Sequence, residues 1–140
     1  MSNKIKYTIY KLTGRSAYQA QIDLNQFDPY GEVQVLFVYE KEKADAKTGK
    51  PVYYLTDDSY TSVNINDMGH INEQADCFKK AVAKFDFPEI KMNSETDEIY
   101  CDVTNADLDQ EIKHMTKIIN EIYEQLKLEF KTTQRKLTHE

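Results

Sequence analysis

Residues 108–126 read Leu-Asp-Gln-Glu-Ile-Lys-His-Met-Thr-Lys-Ile-Ile-Asn-Glu-Ile-Tyr-Glu-Gln-Leu, and their apolar spacing decides the architecture. Leu108, Ile112, Met115, Ile119, Ile122 and Leu126 follow one another at intervals of 4, 3, 4, 3 and 4. On an α-helix this sets six apolar side chains along one stripe, close to a coiled-coil seam. A further step of four reaches Phe130, a stutter in the heptad register, and the pattern runs on weakly through Thr133 and Leu137. The spacing predicts one helix over 105–137, capped by Thr104 or Asn105. Such a helix is far longer than the average of about 11 to 12 residues. Asp107, Asp109 and Glu111 near its start, and Lys131, Arg135 and Lys136 near its end, suit the helix dipole. Ile118, Tyr123 and Leu128 fall off the stripe, so the apolar surface is wider than one seam. The helix is therefore expected to pack on the domain by one side. It offers Ile112, Met115, Ile119, Ile122, Leu126 and Phe130 to a partner or to a second copy in a homodimer.

Upstream of this helix the period is mostly two. Residues 4–12 place Ile5, Tyr7 and Ile9 on one face, and a turn at 13–16 follows. Residues 17–24 alternate cleanly, with Tyr18, Ala20, Ile22 and Leu24 opposed by Gln19, Gln21 and Asp23. Asp28-Pro29-Tyr30-Gly31 has the residues of a type I turn. Residues 32–42 form the strongest strand: Val33, Val35, Phe37 and Tyr39 share one face, and Leu36 and Val38 add apolar bulk to the other. A strand apolar on both faces belongs in the middle of a sheet. After a polar loop at 44–50, residues 51–56 and 60–65 read as two more strands, completing a meander over 1–66. Met68, Ile71, Ala75, Phe78, Val82 and Phe85 then step by 3 and 4, which predicts a helix over 67–86 with Asp67 as its N-cap and an end at Phe87-Pro88. Residues 98–103 read as a last strand through Ile99, Cys101 and Val103. The fold class is α+β: an antiparallel sheet of five to six strands in the order β-β-β-β-β-α-β-α, one packed amphipathic helix and a long C-terminal helix.

The 140 residues amount to one domain, and no repeat or linker divides them. Met1 to Lys11 holds three lysines and no apolar run, so no secretion leader is expected. No stretch approaches the roughly 20 apolar residues of a membrane span. The expected setting is the cytoplasm, where Cys77 and Cys101 serve as small buried apolar groups. No Cys-x-x-Cys, His-x-x-x-His, Gly-x-Ser-x-Gly or phosphate-cradling glycine loop is present, so no metal, cofactor or catalytic residue is expected, and His114 is placed on an exposed flank.

Charge is the remaining signal. Glu95, Asp97, Glu98, Asp102, Asp107, Asp109 and Glu111 stand uninterrupted by any Lys or Arg, in a chain of net charge −6. Such a surface suits a basic protein partner, because complementary potentials steer encounter. The expected function is a non-enzymatic, cytoplasmic interaction module: a small acidic inhibitor or adaptor that binds a basic surface of a nucleic-acid-handling protein. Accessory proteins of phages and mobile elements have this character. An opposite reading rests on Lys4, Lys6, Tyr7, Tyr10, Lys11, Arg15 and Tyr18, which could form a stacking platform for single-stranded nucleic acid. The overall acidity argues against duplex binding. A third reading is a small enzyme with a carboxylate site, which requires a cavity with converging polar groups.

Overall fold

The computed structural model describes residues 7–11, 19–29, 31–104 and 107–127. Six strands form one antiparallel sheet: β1 (Thr8–Lys11), β2 (Ala20–Phe27), β3 (Val33–Glu40), β4 (Val52–Thr56), β5 (Lys91–Met92) and β6 (Ile99–Thr104). Their spatial order is β1-β2-β3-β4-β6-β5. Three helices complete the α+β fold: α1 (Tyr60–Asp67), α2 (Gln74–Phe85) and α3 (Leu108–Gln125). The hairpin between β2 and β3 closes as expected, with Gly31 N–H donating to the Asp28 carbonyl at 2.9 Å. No helix among the described residues is long and apolar enough to cross a membrane.

One face of the sheet carries Ile22, Leu24, Leu36, Leu55, Ile99, Cys101 and Val103 into the core. On β3 the core face is thus the Leu36 and Val38 side, while Phe37 is buried on the other face against Tyr60, with ring centroids 6.1 Å apart. The stripe of α3 seals the core: Ile112, Met115, Ile119 and Ile122 are at most 1% exposed. Ile118 and Tyr123, which lie off the stripe, are equally buried, so the extra apolar width faces this chain's own core. α2 contributes Cys77 and Ala81 and is tied to α3 by Lys84 Nζ, 2.9 Å from Glu121 Oε1. The opposite face of the sheet shows a half-buried row of Tyr39, Tyr54 and Tyr100, whose ring centroids lie 5.1 and 5.5 Å apart.

Three expectations need correction. Residues 60–65, expected as a strand, form most of α1. Asp57 decides this: its carboxylate accepts Ser59 N–H at 2.9 Å and Thr61 N–H at 3.4 Å, satisfying donors at the start of a helix. The helix expected over 67–86 begins only at Gln74, and Asp67 is the last residue of α1 rather than an N-cap. There the chain makes a Schellman ending, with His70 N–H bonded to the Ile65 carbonyl at 2.9 Å and Gly69 N–H to the Asn66 carbonyl at 3.0 Å. Gly69 has φ 95° and Asn72 φ 66°, so no helix passes through them, and Ile71 is left 65% exposed. The final helix starts after Asp107, not Thr104 or Asn105, and stops at Gln125 instead of 137. Lys127 at φ 59° bonds back to the Glu124 carbonyl at 2.9 Å, a left-handed turn that a helix does not continue through. Phe130, Thr133 and Leu137 lie outside the described residues.

The Schellman glycine supplies a direct check. A Cβ on Gly69 would meet nothing within 4 Å, so only the backbone resists a side chain there. Gly69→Ala is expected to lower stability by about 1–2 kcal/mol, the cost of a left-handed L-residue. An unchanged urea midpoint would show that this motif does not end α1.

Candidate functional site beside the third strand

β4 pairs with β3 only from Phe37 opposite Thr56 to Glu40 opposite Tyr53. Beyond Thr56 the chain turns away into α1. Residues 33–36 of β3 therefore have β2 on one side and, among the described residues, no strand on the other. Alternate residues of a strand aim their N–H and C=O groups at opposite edges, so this edge presents main-chain groups to the gap. The gap is a cavity of about 390 Å³ between β3 and α1. Val33, Val35 and Phe37 form one wall, Tyr60 and Val63 the other, and Ile119 and Tyr123 of α3 the floor. Val63 is 49% exposed, so the mouth is open to solvent at α1.

Polar groups converge on this cavity. Asp57 is 1% exposed, and besides the two α1 amides it accepts Ile99 N–H at 2.9 Å. Burial pushes its pKa up to about 6, outweighing the amide bonds that pull it down. Asp28, also buried, accepts Glu32 N–H at 3.0 Å and Asn64 Nδ2 at 3.1 Å. Asn64 Nδ2 also donates to the Tyr123 hydroxyl at 3.2 Å, and burial raises the pKa of that phenol. Gln34, 6% exposed, accepts Gln26 Nε2 at 3.1 Å through its oxygen, but its own Nε2 has no hydrogen-bond partner. A buried amide donor without an acceptor is rare in a finished core. With Glu32 exposed at the rim, the cavity is lined by three acidic residues and, among the lining residues, no basic one.

The seven expected partner-binding carboxylates do not form one surface. Glu95 and Asp97 sit in the turn between β5 and β6, where Asp97 accepts Ser62 Oγ at 3.3 Å. Glu98 and Asp102 lie on the tyrosine face: Glu98 accepts the Tyr54 hydroxyl at 2.8 Å and the Thr56 hydroxyl, and Asp102 pairs with Lys41 at 3.2 Å. The bond to Glu98 and burial, burial first, push the Tyr54 pKa upward. Asp107 and Asp109 stand at the start of α3, where Asp109 bonds to Tyr7 and pairs with Lys113 at 3.1 Å. Glu111 is buried at 8% exposure. The stripe offered for a partner, Ile112, Met115, Ile119 and Ile122, is spent on this chain's own core, with Leu126 packed at its margin.

The lysine and tyrosine set is also divided. Tyr7 packs against the core and Lys11 shares its side of β1, whereas Tyr10 stands opposite Gln21 on the other face, 51% exposed. Lys4, Lys6, Arg15 and Tyr18 lie outside the described residues. The described members thus form no single stacking platform. The cleft itself escaped the sequence reading because it exists only where residues 60–65 become a helix instead of a strand. Asp57, followed by two residues at positive φ, Asp58 and Ser59, was its one local sign. No family model, no curated protein and no solved structure matches this chain.

Proposed function

We propose that the protein is a non-enzymatic interaction module that receives an extended, basic segment of a partner protein along the open edge of β3. The observation that carries this is the early departure of β4, which leaves residues 33–36 unpaired on that side beside an acidic cavity. Four strand residues span about 13 Å, enough for a short stretch of added strand. Main-chain bonds to the edge would supply affinity without sequence demand, and side-chain pockets the selectivity. The charge of the occupant follows from Asp28, Glu32 and Asp57 and from the net −6 of the chain. A lysine or arginine side chain entering the cavity would meet carboxylates, and a main-chain carbonyl would meet the unpaired amide of Gln34. Basic, extended segments are common in nucleic-acid-handling proteins, so occupancy of this kind fits a cytoplasmic inhibitor or adaptor.

The test is selection of peptides from a random displayed library on the full chain, followed by calorimetry. Selected peptides are expected to carry Lys or Arg among β-branched residues. Val63→Trp, which fills the mouth from an exposed position, and Glu32→Lys, which reverses the rim charge, should each weaken them at least tenfold, or about 1.4 kcal/mol. Failure to select any peptide, or wild-type affinity in both variants, would sink the proposal.

The same cavity supports a second reading, a small enzyme using Asp57 as an acid or base, because a buried carboxyl with a raised pKa in a cleft is a common catalytic arrangement. Against it, both Asp57 oxygens already accept main-chain N–H groups. The peptides separate the two: an enzyme would show no preference for extended basic ligands.

A further inference from the structure

The loop after α2 and the first turns of α3 bring together three side chains that do not line the cleft. Glu111 and His114 are three apart on α3 and so share one helix face. Glu89 reaches them from the α2–β5 connection. His114 Nδ1 lies 2.9 Å from Glu89 Oε2 and 3.4 Å from Glu111 Oε1, and the three groups each offer a ligand atom within 4.8 Å of the others. Phe87 fixes the imidazole plane by stacking on it, with centroids 3.7 Å apart and planes 9° from parallel. The ring is thereby held with Nδ1 aimed at both carboxylates.

A second observation singles this cluster out from ordinary acidic groups. Glu111 is 8% exposed; its side chain hydrogen-bonds to Glu89, but its Oε1 has no hydrogen-bond partner and only the 3.4 Å approach to His114. A buried carboxylate oxygen facing another carboxylate and an imidazole is an arrangement that calls for a shared cation. We propose that Glu89, Glu111 and His114 bind a divalent transition-metal ion of the zinc class. One imidazole nitrogen and two carboxylate oxygens are the ligands such an ion takes, with water completing the shell. Zinc holds N and O ligands at about 2.0–2.2 Å, so tetrahedral neighbours sit about 3.5 Å apart. The 3.4 Å approach of Glu111 to Nδ1 already matches, and the 2.9 Å approach of Glu89 opens by about half an ångström to admit the ion. Two protons leave to solvent as the metal enters, the one between Nδ1 and Glu89 and the one the two carboxyls share. The Glu89 and His114 side chains are 35% and 22% exposed, which gives the ion and its waters a way in. Bound there, the ion would clamp the α2–β5 connection to α3.

The measurement is calorimetric titration of the full chain with zinc chloride, with unfolding midpoints taken with and without zinc. One ion per chain is expected, with a micromolar or tighter Kd and a higher midpoint. Glu89→Gln, at a partly exposed position outside the core, should weaken binding at least tenfold and cancel the midpoint shift. His114→Ala should do the same, whereas His70→Ala, whose ring pairs with Glu73 at 3.2 Å, should leave the affinity unchanged. Absence of saturable binding, or equal affinity in wild type and Glu89→Gln, would overturn the site. It would leave the two carboxylates as a pair sharing a proton.

Discussion

Asp57→Ala is expected to lower the stability of the fold by about 3–5 kcal/mol, while Asp57→Asn changes it by about 1 kcal/mol or less at neutral pH. Alanine strands the amides of Ser59, Thr61 and Ile99, two of them at the start of α1 and one at the start of β6. Each stranded buried donor costs about 1–3 kcal/mol, less the relief of no longer burying a charge. Asparagine retains an oxygen for Ser59 and Ile99, which share Oδ1, and removes the charge. The same residue sets a pH dependence. Its folded pKa of about 6 lies above the ordinary 3.8, so the folded state holds the proton more tightly. Between those values the native chain binds more protons than the unfolded chain, and stability therefore rises as pH falls from about 6 towards 4. The full contribution is on the order of 3 kcal/mol. Urea unfolding of wild type and Asp57→Asn from pH 7.5 to 4 isolates it, since every other group cancels in the difference. A flat difference profile would mean that the Asp57 carboxyl is not desolvated in the folded chain.

Ile122→Ala should cost about 2–5 kcal/mol, the range for truncating a fully buried isoleucine, with an unchanged dependence on urea. The sedimentation coefficient should stay that of wild type, because the α3 stripe faces this chain's own core. A small loss of stability joined to a change in association state would instead place Ile122 in a contact between chains.

These two residues also show how far the sequence carries. The α3 stripe is legible because burial on a helix repeats at 3.6 residues, and Ile112 to Ile122 lie where that period puts them. What the period leaves open is the surface that covers the stripe; a wide apolar face reads equally as a dimer seam or as a core. The strand reading of 60–65 fails for a different reason. Tyr-Thr-Ser-Val-Asn-Ile has the β-branched composition of a strand, but Asp57 and Gly69, outside the segment, cap a helix at both ends. Capping and tertiary contacts outweigh a propensity worth tenths of a kcal/mol per residue. The cleft inherits that failure, since its second wall is α1. The Glu89, Glu111 and His114 cluster is half legible: the Glu-x-x-His spacing on α3 is visible, whereas Glu89 is 25 residues from His114 and joins through the packing of Phe87. The dispersal of the seven carboxylates follows from strand alternation and from the turn between β5 and β6, which send sequence neighbours to different faces.

The most direct test of the central claim is hydrogen–deuterium exchange of the full chain with and without a selected basic peptide. Added strand pairing on β3 predicts new protection within residues 33–36, with a smaller gain at Tyr60 to Asn64, and none at β1 or at the half-buried row of Tyr39, Tyr54 and Tyr100. Protection confined to that tyrosine face or to β1, with residues 33–36 exchanging as in the free protein, would contradict it.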